Sequence, residues 1–400
     1  MSDLTALFLE RFGTQNTEQT VQHYFSPGRV NIIGEHIDYN GGQVLPIAIS
    51  QGIRAAVRPT NNKYIRIQSV NNIGELVIDM DTEGFAKRPD HWMNYPLGVI
   101  YTIWKSQQKL KNHLRIFETG FDMLIDSNLP MESGLSSSAA LEVIVAYVLF
   151  NQSYKKNLNN NDFMRLTLAL LCQKAENNFV GVKCGIMDQF AVAMSKQNHA
   201  ILLECDTLKY QYVPFLMRKY SMVILNTNKQ RTLADSKYND RKAECEAALS
   251  IIKRHSAISQ LCEATLNDLD YIENPTLLRR TRHVITENQR VTQTAKALIE
   301  GNWTRLGELL NLSHQSLRDD YEVTGFELDT LTSIARHTAG CLGSRMTGAG
   351  FGGCAIALVK TELLEDFKIT VADQYHKQTG LHLSIYDVTA QDGVKELNIN

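Results

Sequence analysis

Three kinds of feature are missing from this sequence, and each absence excludes a class of protein. Lysine and arginine number 41 against 43 aspartate and glutamate residues, so no excess of positive charge exists for coating nucleic acid or an anionic membrane. No stretch approaches about 18 uninterrupted apolar residues, so no membrane-spanning helix is expected. The N-terminal segment lacks a basic region followed by a long apolar run, so no secretory signal is predicted.

Paired cysteines are also missing. The seven cysteines are odd in number and widely spaced, and no C-x-x-C pair occurs. A disulfide framework or a structural zinc site is therefore not expected, and most of these thiols are predicted to be buried in a reducing cytoplasm. Hydrophobic residues make up 44% and charged residues 21% of the chain, which indicates a folded protein. At 400 residues two domains are expected, with a boundary near 206–220.

Proline is absent after Pro275, which indicates that the last part of the chain is more helical than the first. Alternating and β-branched runs predict strands at 52–58, 63–70, 73–80, 121–125, 200–204, 221–226 and 354–359. Helices are predicted in the apolar run that begins at Ala139, over 161–176 and 232–254, and through most of 276–340.

The first segment with recognisable chemistry is P-G-R-V-N-I-I-G-E-H-I-D-Y-N-G-G at residues 27–42. Its carboxylates, histidine and tyrosine can hydrogen-bond several hydroxyls of a polar ligand, and such a site strongly rejects analogues that lack them. Glu35, His36 and Asp38 are also residue types that coordinate metal ions. The simpler interpretation is a polar turn between two strands, because N-G-G is a hairpin signal. Residue types alone do not decide among these interpretations.

The second segment is G-L-S-S-S-A-A at residues 134–140, between a predicted strand and a predicted helix. Unpaired N–H groups at a helix N-terminus favour phosphate, glycine permits close approach, and serine hydroxyls donate or bind Mg²⁺. The lysine of a Walker A loop is absent. A serine run before a helix alone favours the simpler interpretation, a serine N-cap with no ligand.

Two further segments are rich in glycine. Six of the 24 glycines fall between 340 and 353, which predicts a loop at 343–354 that lies close to another group or adopts positive φ. A flexible linker is the alternative, although the apolar strand that follows argues against it. In the segment 175–190, Asp188 begins an apolar helix, so it either favours the helix dipole or is a catalytic carboxylate, with Glu176 as a metal ligand.

The order of these motifs resembles the GHMP small-molecule kinases, and within them the galactokinase family. The resemblance covers nearly the whole chain, and the string G-E-H-x-D-Y-N is the one typical of the galactokinase branch. It implies an α+β fold with mixed β-sheets flanked by helices. It also implies two domains, 1–210 and 211–400, with the active site in the cleft between them and a final segment that packs back on the first domain.

The resemblance further implies a reaction and its residues. The reaction is the Mg²⁺-dependent transfer of the γ-phosphoryl group of ATP to the 1-hydroxyl of α-D-galactose, the first committed step of galactose catabolism in the Leloir pathway. The implied catalytic residues are Asp188, which accepts the hydroxyl proton, and Arg29, which keeps Asp188 ionised and stabilises the phosphoryl group. The implied sugar contacts are Glu35, His36, Asp38, Gly185, Asp188 and Tyr238. The implied nucleotide contacts are Ser69, Trp92, Tyr95, Gly134, Leu135, Ser136, Ser137 and Ser138. The implied Mg²⁺ ligands are Ser138 and Glu176.

Two positions depart from the family pattern. Ile37 stands where threonine is usual, and we expect it to point away from the sugar. Glu132 stands where a small residue is common, and a carboxylate beside bound phosphates would repel them. We therefore expect Glu132 to point outward.

Other functions compete with this interpretation. A sister kinase acting on N-acetylgalactosamine, arabinose or galacturonate is the nearest alternative. A non-catalytic galactose sensor is disfavoured, because such relatives lose the serine–alanine pair that is present here at Ser138 and Ala139. A plain sugar-binding module leaves the phosphate motif unexplained. We expect a cytoplasmic monomer with small-molecule substrates and neither nucleic-acid nor membrane partners.

Overall fold

A computed structural model describes residues 4–14, 20–81, 85–89, 91–109, 119–130, 134–154, 161–229 and 234–397. Its strands form three sheets within these ranges. The helices are α1 (Leu4–Phe12), α2 (Asn94–Lys109), α3 (Ser137–Tyr154), α4 (Asp162–Ala175), α5 (Met187–Met194), α6 (Ala234–Ile252), α7 (Pro275–Glu300), α8 (Trp303–Ser316), α9 (Phe326–His337) and α10 (Leu364–Thr379). None of the described helices combines the length and apolar composition needed to cross a bilayer.

The largest sheet carries the beginning of the sugar motif. It contains β1 (Gln22–Asn31), β3 (Pro46–Pro59), β4 (Tyr64–Ser69), β5 (Glu75–Asp79), β6 (Phe121–Ser127) and β13 (Lys395–Leu397). Its strand order is β13-β1-β3-β6-β4-β5, and β4 and β6 are parallel while the other pairs are antiparallel. Strand β13, from the end of the chain, therefore forms the edge of the sheet beside β1.

Two smaller sheets complete the β structure. One joins β2 (Gln43–Val44), β7 (His199–Glu204) and β8 (Tyr210–Pro214). The other has the order β10-β11-β9-β12 and consists of β9 (Tyr220–Asn226), β10 (Cys341–Thr347), β11 (Cys354–Lys360) and β12 (Ser384–Val388). Every pairing in this last sheet is antiparallel.

Helix α3 lies in the middle of the first half of the protein. Every residue from 139 to 150 is buried, and the helix contacts α2, α4, α5, β1 and β3. A helix that is apolar on all sides has to be enclosed in this way. Its N-terminus thus has a fixed position, because the body of the helix is held from every direction.

The glycine cluster differs from the loop predicted at 343–354. Residues 341–347 form strand β10, and the loop is confined to 348–353. Pairing with β11 and the complete burial of Arg345 and Met346 outweigh the low strand preference of glycine and serine. The predicted strands at 52–58, 63–70 and 221–226 and the helix at 161–176 are confirmed within a few residues, and the helix at 232–254 is confirmed from Ala234 onward. Residues 232 and 233 lie outside the described ranges.

Candidate active site

Three of the four motifs line a cavity of about 140 Å³, and the serine motif is joined to two lining residues, since Gly134 hydrogen-bonds Arg29 and Ser136 hydrogen-bonds Asp188. Strand β1 and the turn after it form one wall, α5 and the loop before it form another, and α6 and the 348–353 loop close the third side. The polar or ionisable residues that line it are Arg29, Glu35, His36, Asp38, Glu176, Cys184, Asp188 and Tyr238. All six sugar-contact residues predicted from the sequence, Gly185 included, line this cavity.

Arg29 and Asp188 form a two-pronged ion pair in this cavity. The Nε and Nη2 groups of Arg29 donate to Oδ1 and Oδ2 of Asp188, each at 2.8 Å. The Ser136 hydroxyl also donates to Oδ2 at 2.5 Å. The arginine side chain is 5% exposed and the aspartate 27%, so the carboxylate still faces the cavity. Three charge-assisted hydrogen bonds hold the carboxylate of Asp188 in one orientation.

The serine motif is hydrogen-bonded to the same arginine. The backbone N–H of Arg29 donates to the carbonyl of Leu135 at 3.2 Å, and Nη1 donates to the carbonyl of Gly134 at 2.6 Å. Ser136 then adopts a positive φ of 60°, and α3 begins at Ser137. Because a helix leaves the N–H groups of its first turn without intrahelical partners, the start of α3 offers donors to an anion beside Arg29.

The 348–353 loop packs directly on the serine motif. A Cβ added to Gly348 would lie 2.6 Å from the carbonyl oxygen of Gly134, a distance at which real Cβ atoms do not occur. Gly348 also has a φ of 83°, which side chains other than glycine rarely adopt. Glycine at 348 therefore permits the two motifs to form a continuous wall.

Glu35 is fixed by groups from several elements. Its Oε1 accepts from the Thr347 hydroxyl at 3.0 Å and from the Gly348 N–H at 2.8 Å, and its Oε2 accepts from the Asn31 amide at 3.0 Å. The guanidinium of Arg345 lies 3.2 Å from Oε1, and this side chain is fully buried. The contact of Glu35 with the sugar stays a prediction, because most of its acceptor positions serve the protein itself.

His36 also has protein partners on both ring nitrogens. Nε2 lies 3.0 Å from the carbonyl oxygen of Ala349 and Nδ1 lies 2.9 Å from the Tyr39 hydroxyl. Because a carbonyl only accepts, we assign the proton to Nε2, and Tyr39 then donates to Nδ1. Burial, with a further contribution from His283, lowers the pKa of His36 to about 3, so the ring is neutral. A hydrogen bond from His36 to the sugar likewise stays a prediction.

Asp38 and Tyr238 line the same cavity as the Arg29–Asp188 pair. Burial, and then repulsion by Asp188, raise the pKa of Asp38 to about 7. A Cβ added to Gly185 would lie 2.1 Å from Oδ2 of Asp38, so only glycine fits beside this carboxylate. The Tyr238 ring contacts the rings of His36 and Tyr39 with centroids 5.4 Å apart in both cases. Ile37, between these residues, is fully buried in the hydrophobic core and does not line the cavity.

Glu176 lies at the first residue of a π-helical turn, Glu176–Val180, that follows α4. The Ser138 hydroxyl hydrogen-bonds this carboxylate, so the two predicted Mg²⁺ ligands are in contact. Gln189 donates to Oε2 of Glu176 at 2.5 Å. Burial, and then repulsion by Asp188, raise the pKa of Glu176 to about 7.

A second buried acid lies behind Glu176. Glu142 of α3 is fully buried, and its Oε2 accepts from the same Gln189 amide at 3.1 Å. Burial, and then repulsion by Glu176, raise the pKa of Glu142 well above its ordinary value. Among the described residues, no group of three or more His, Cys, Asp and Glu side chains could hold a metal ion. Ser138 and Glu176 instead fit Mg²⁺, which is usually shared between a few protein oxygens, water and phosphates.

The remaining predicted nucleotide residues lie away from this cavity. The Ser69 hydroxyl accepts from the backbone N–H groups of Asn71 and Asn72, both at 3.1 Å. The indole of Trp92 donates to the carbonyl of Ile73 at 3.2 Å. The turn after β4 and the start of α2 are thus neighbours. Whether Ser69, Trp92 and Tyr95 contact a nucleotide stays a prediction, and Glu132 lies outside the described residues.

Sequence reasoning missed Glu142, Gln189 and Arg345. A lone acid in the apolar run A-A-L-E-V-I-V was the signal for Glu142, and Gln189 directly follows the candidate base in M-D-Q-F. Arg345 lies inside the glycine cluster, where the sequence predicts a loop. Its partner Glu35 lies more than 300 positions earlier, so no local pattern connects them.

Family models match three parts of the chain. The model described as the galactokinase galactose-binding signature matches residues 6–59. The GHMP kinases N terminal domain matches residues 94–196, and the GHMP kinases C terminal model matches residues 294–370. The second of these ranges contains the serine motif, Glu176 and Asp188.

Curated relatives agree over the full length. The galactokinase of Clostridium beijerinckii is 44% identical over 99% of this chain and 98% of its own length. The galactokinase of Bacillus subtilis is 43% identical over the same shares of the two chains.

Solved structures give the same result. The crystal structure of Lactococcus lactis galactokinase complexed with galactose matches with a TM-score of 0.90 and 42% identity, covering 99% of each chain. The Methanococcus jannaschii mevalonate kinase matches with a TM-score of 0.63 at 17% identity, which shows a shared fold alone.

Proposed function

The chain belongs to the galactokinase family of the GHMP kinases, and from this premise we propose which of its residues carry out ATP-dependent phosphorylation of galactose. The γ-phosphoryl group of ATP passes to the 1-hydroxyl of α-D-galactose, giving galactose 1-phosphate and ADP in the first committed step of the Leloir pathway. The observation that supports the assignment of residues is the Arg29–Asp188 ion pair, located between the sugar turn and the start of α3.

Asp188 acts as the general base in this proposal. Its carboxylate is held on a rigid helix by Arg29 and Ser136, and it remains partly exposed to the cavity. A carboxylate in this position can accept the proton of the sugar 1-hydroxyl as the oxygen attacks. Protons and charges balance, because Asp188 gains the proton while the phosphoryl group leaves ADP for the sugar oxygen.

Arg29 has two roles in this proposal. Its positive charge balances the negative charge of Asp188 before transfer. Its Nη1 group lies against the serine motif, where the phosphates are expected. Phosphoryl transfer depends chiefly on positioning and on stabilisation of spread negative charge. The N–H groups at the start of α3 supply a second set of donors for the same charge.

Ser138 and Glu176 would hold the Mg²⁺ that the family implies. A divalent cation there would neutralise charge on the phosphate oxygens during transfer. Two buried acids, Glu142 and Glu176, share one neutral amide, and no cationic side chain forms an ion pair with either among the described residues. This arrangement supports a cation site, because buried carboxylates without positive charge nearby are costly.

The sugar would lie against Asp38, Glu35 and Tyr238. Asp38 lines the cavity, and with a pKa of about 7 it is protonated in a share of the molecules near neutral pH, where it can donate as well as accept. Hydroxyl recognition by fixed buried groups gives strong discrimination, because an analogue lacking a hydroxyl leaves such a group unpaired. A cytoplasmic monomer that acts on small molecules alone is our further expectation.

The decisive experiment is an ATP-dependent phosphorylation assay over galactose, N-acetylgalactosamine, arabinose and galacturonate. Galactose should give the highest kcat/KM, and Asp188→Asn should lower the turnover of every sugar about 1,000-fold. Turnover of another sugar but not of galactose would reassign the substrate. Binding of galactose without turnover by the unmodified chain would indicate a sensor.

A further inference from the structure

A fully buried glutamate occupies the most apolar helix of the protein. Glu142 lies within residues 139–150 of α3, all of which are buried, and the other eleven are apolar. No ion pair to Glu142 exists among the described residues. An unpaired buried acid lowers stability by several kcal/mol or must keep its proton. Residues that violate packing rules in this way are expected where function requires them.

Gln189 connects this glutamate to the candidate metal ligand. Its Nε2 group donates to Oε2 of Glu142 at 3.1 Å and to Oε2 of Glu176 at 2.5 Å. The Gln189 side chain is itself fully buried. Neither Oε1 of Glu142 nor Oε1 of Gln189 has a hydrogen-bond partner among the described residues. Both hydrogen bonds of the Gln189 side chain are therefore made by its nitrogen, and none by its oxygen.

Glu142 determines which way the Gln189 amide points. If the amide turned over, its oxygen would replace the nitrogen against Oε2 of both glutamates, and both hydrogen bonds from the Gln189 nitrogen would be lost. With the nitrogen held in place, Oε2 of Glu176 is occupied by Gln189 and by the Cys184 thiol at 3.4 Å. Oε1 of Glu176 has neither of these donors, so we assign this oxygen to the cation that Glu176 would share with Ser138.

The cluster also lies next to the proposed catalytic groups. Glu142 follows Ser138 by four residues, which places both side chains on one face of α3. Gln189 directly follows Asp188 in the first turn of α5. The orientation of Gln189 is thus coupled through the backbone to the proposed base and through its amide to the proposed metal ligand.

We propose that Glu142 and Gln189 are positioning residues for magnesium: Glu142 locks the amide of Gln189, and Gln189 holds Glu176 with Oε1 toward the cation. Neither residue touches the cation or the sugar. The proposal rests on the metal-binding role proposed above for Glu176. Partners of this kind, which orient a metal ligand, typically change metal affinity 10- to 100-fold when they are removed.

Glu142→Gln tests this proposal with little change in shape. The new amide can donate as well as accept, so it no longer prevents Gln189 from turning over. We expect the dissociation constant of Mg²⁺ in the presence of ADP, measured by titration calorimetry, to rise about tenfold. The KM for galactose should stay within about twofold, because the residues proposed to bind the sugar are unchanged. The free energy of unfolding should not fall, because a neutral amide replaces a buried acid.

Asn151→Ala is the matched control. Asn151 is a buried polar residue of the same helix, 8% exposed and about 14 Å further along it, and it donates to the Tyr24 hydroxyl. It should lower the free energy of unfolding and leave Mg²⁺ affinity unchanged. This pattern is the reverse of the one expected for Glu142→Gln, so a general loss of packing cannot imitate the effect.

Two further variants separate the possible failures. Unchanged Mg²⁺ affinity in Glu142→Gln would overturn the positioning role if Glu176→Gln weakens Mg²⁺ binding. Unchanged affinity in Glu176→Gln would overturn the metal role of Glu176 itself. Gln189→Met, which keeps the length of the side chain but removes the amide, should also raise the dissociation constant about tenfold. It gives the same test should Glu142→Gln fail to fold.

Discussion

The two sides of the cavity differ in how completely the protein satisfies its own charges. On the sugar side (Glu35, His36 and Arg345), the carboxylate has an arginine and several donors, and both imidazole nitrogens have partners. On the metal side (Glu142, Glu176 and Gln189), two buried acids share one amide and no cationic side chain pairs with them in the described part of the chain. The sugar side is therefore organised before substrate arrives, whereas the metal side is organised to receive positive charge.

This difference follows from the ligands each side is proposed to hold. A neutral sugar offers only hydroxyls, so the protein has to fix its own charges in place. A nucleotide arrives with a divalent cation, which can neutralise acids that the protein leaves without partners. The Arg29–Asp188 pair lies between the two sides and belongs to both.

The largest expected effect falls on that shared pair. Asp188→Asn should lower kcat about 1,000-fold, because the base is lost while the shape and most hydrogen-bonding partners remain. The KM values for galactose and ATP should change less than about threefold. Steady-state kinetics would measure both. Ser136→Ala, which removes one donor to Asp188 but keeps the carboxylate, is the control and should lower kcat far less.

The next effect tests whether the charges on the sugar side stabilise each other in the folded protein. Glu35→Gln should lower the free energy of unfolding by about 3 kcal/mol, because it leaves the fully buried Arg345 without its carboxylate. Glu176→Gln on the metal side should cause no such loss. Urea unfolding would measure both variants. Glu327→Gln is the control: it breaks the ion pair with the half-exposed Lys229 and should lower the free energy of unfolding by less than about 1 kcal/mol. Equal losses at 35 and 176 would contradict the comparison.

A third prediction concerns pH and Asp38. Its pKa is about 7 in the folded protein against 3.8 ordinarily, so the folded state binds more protons than the unfolded state between these values. The free energy of unfolding should therefore fall as pH rises from about 4 to 7, with a contribution from Asp38 on the order of 3 kcal/mol. Asp38→Asn should reduce this slope. A slope that stays the same in thermal unfolding at several pH values would remove Asp38 as the cause.

The smallest expected effect concerns Glu132 at the edge of the serine motif. If this carboxylate points outward, Glu132→Gly should leave the KM for ATP within about threefold, since a surface charge contributes a fraction of a kcal/mol. Initial rates at varied ATP concentration would measure it. A large improvement in ATP binding would show that the carboxylate faces the phosphates instead.

Motifs made of neighbouring residues could be predicted from the sequence, and contacts between distant residues could not. The strings around Glu35, Ser138, Glu176 and Asp188 identified the cavity because each carries its chemistry within a few positions. Arg345 was missed because its partner is distant in the chain and glycines surround it. The prediction of a loop over most of strand β10 is wrong for the same reason, since the stability of this strand comes from pairing with β11 and from burial.

The edge strand β13 has a consequence for how the protein is made. Arg29 lies on β1, and β1 pairs with β13 through His23, Tyr24 and Phe25, whose partners are residues 395–397. During synthesis this edge of β1 stays open until nearly 370 further residues have left the ribosome. An unpaired edge invites association with other chains, so chaperone demand should be highest late in translation. A tag joined immediately after residue 397 would burden the same step.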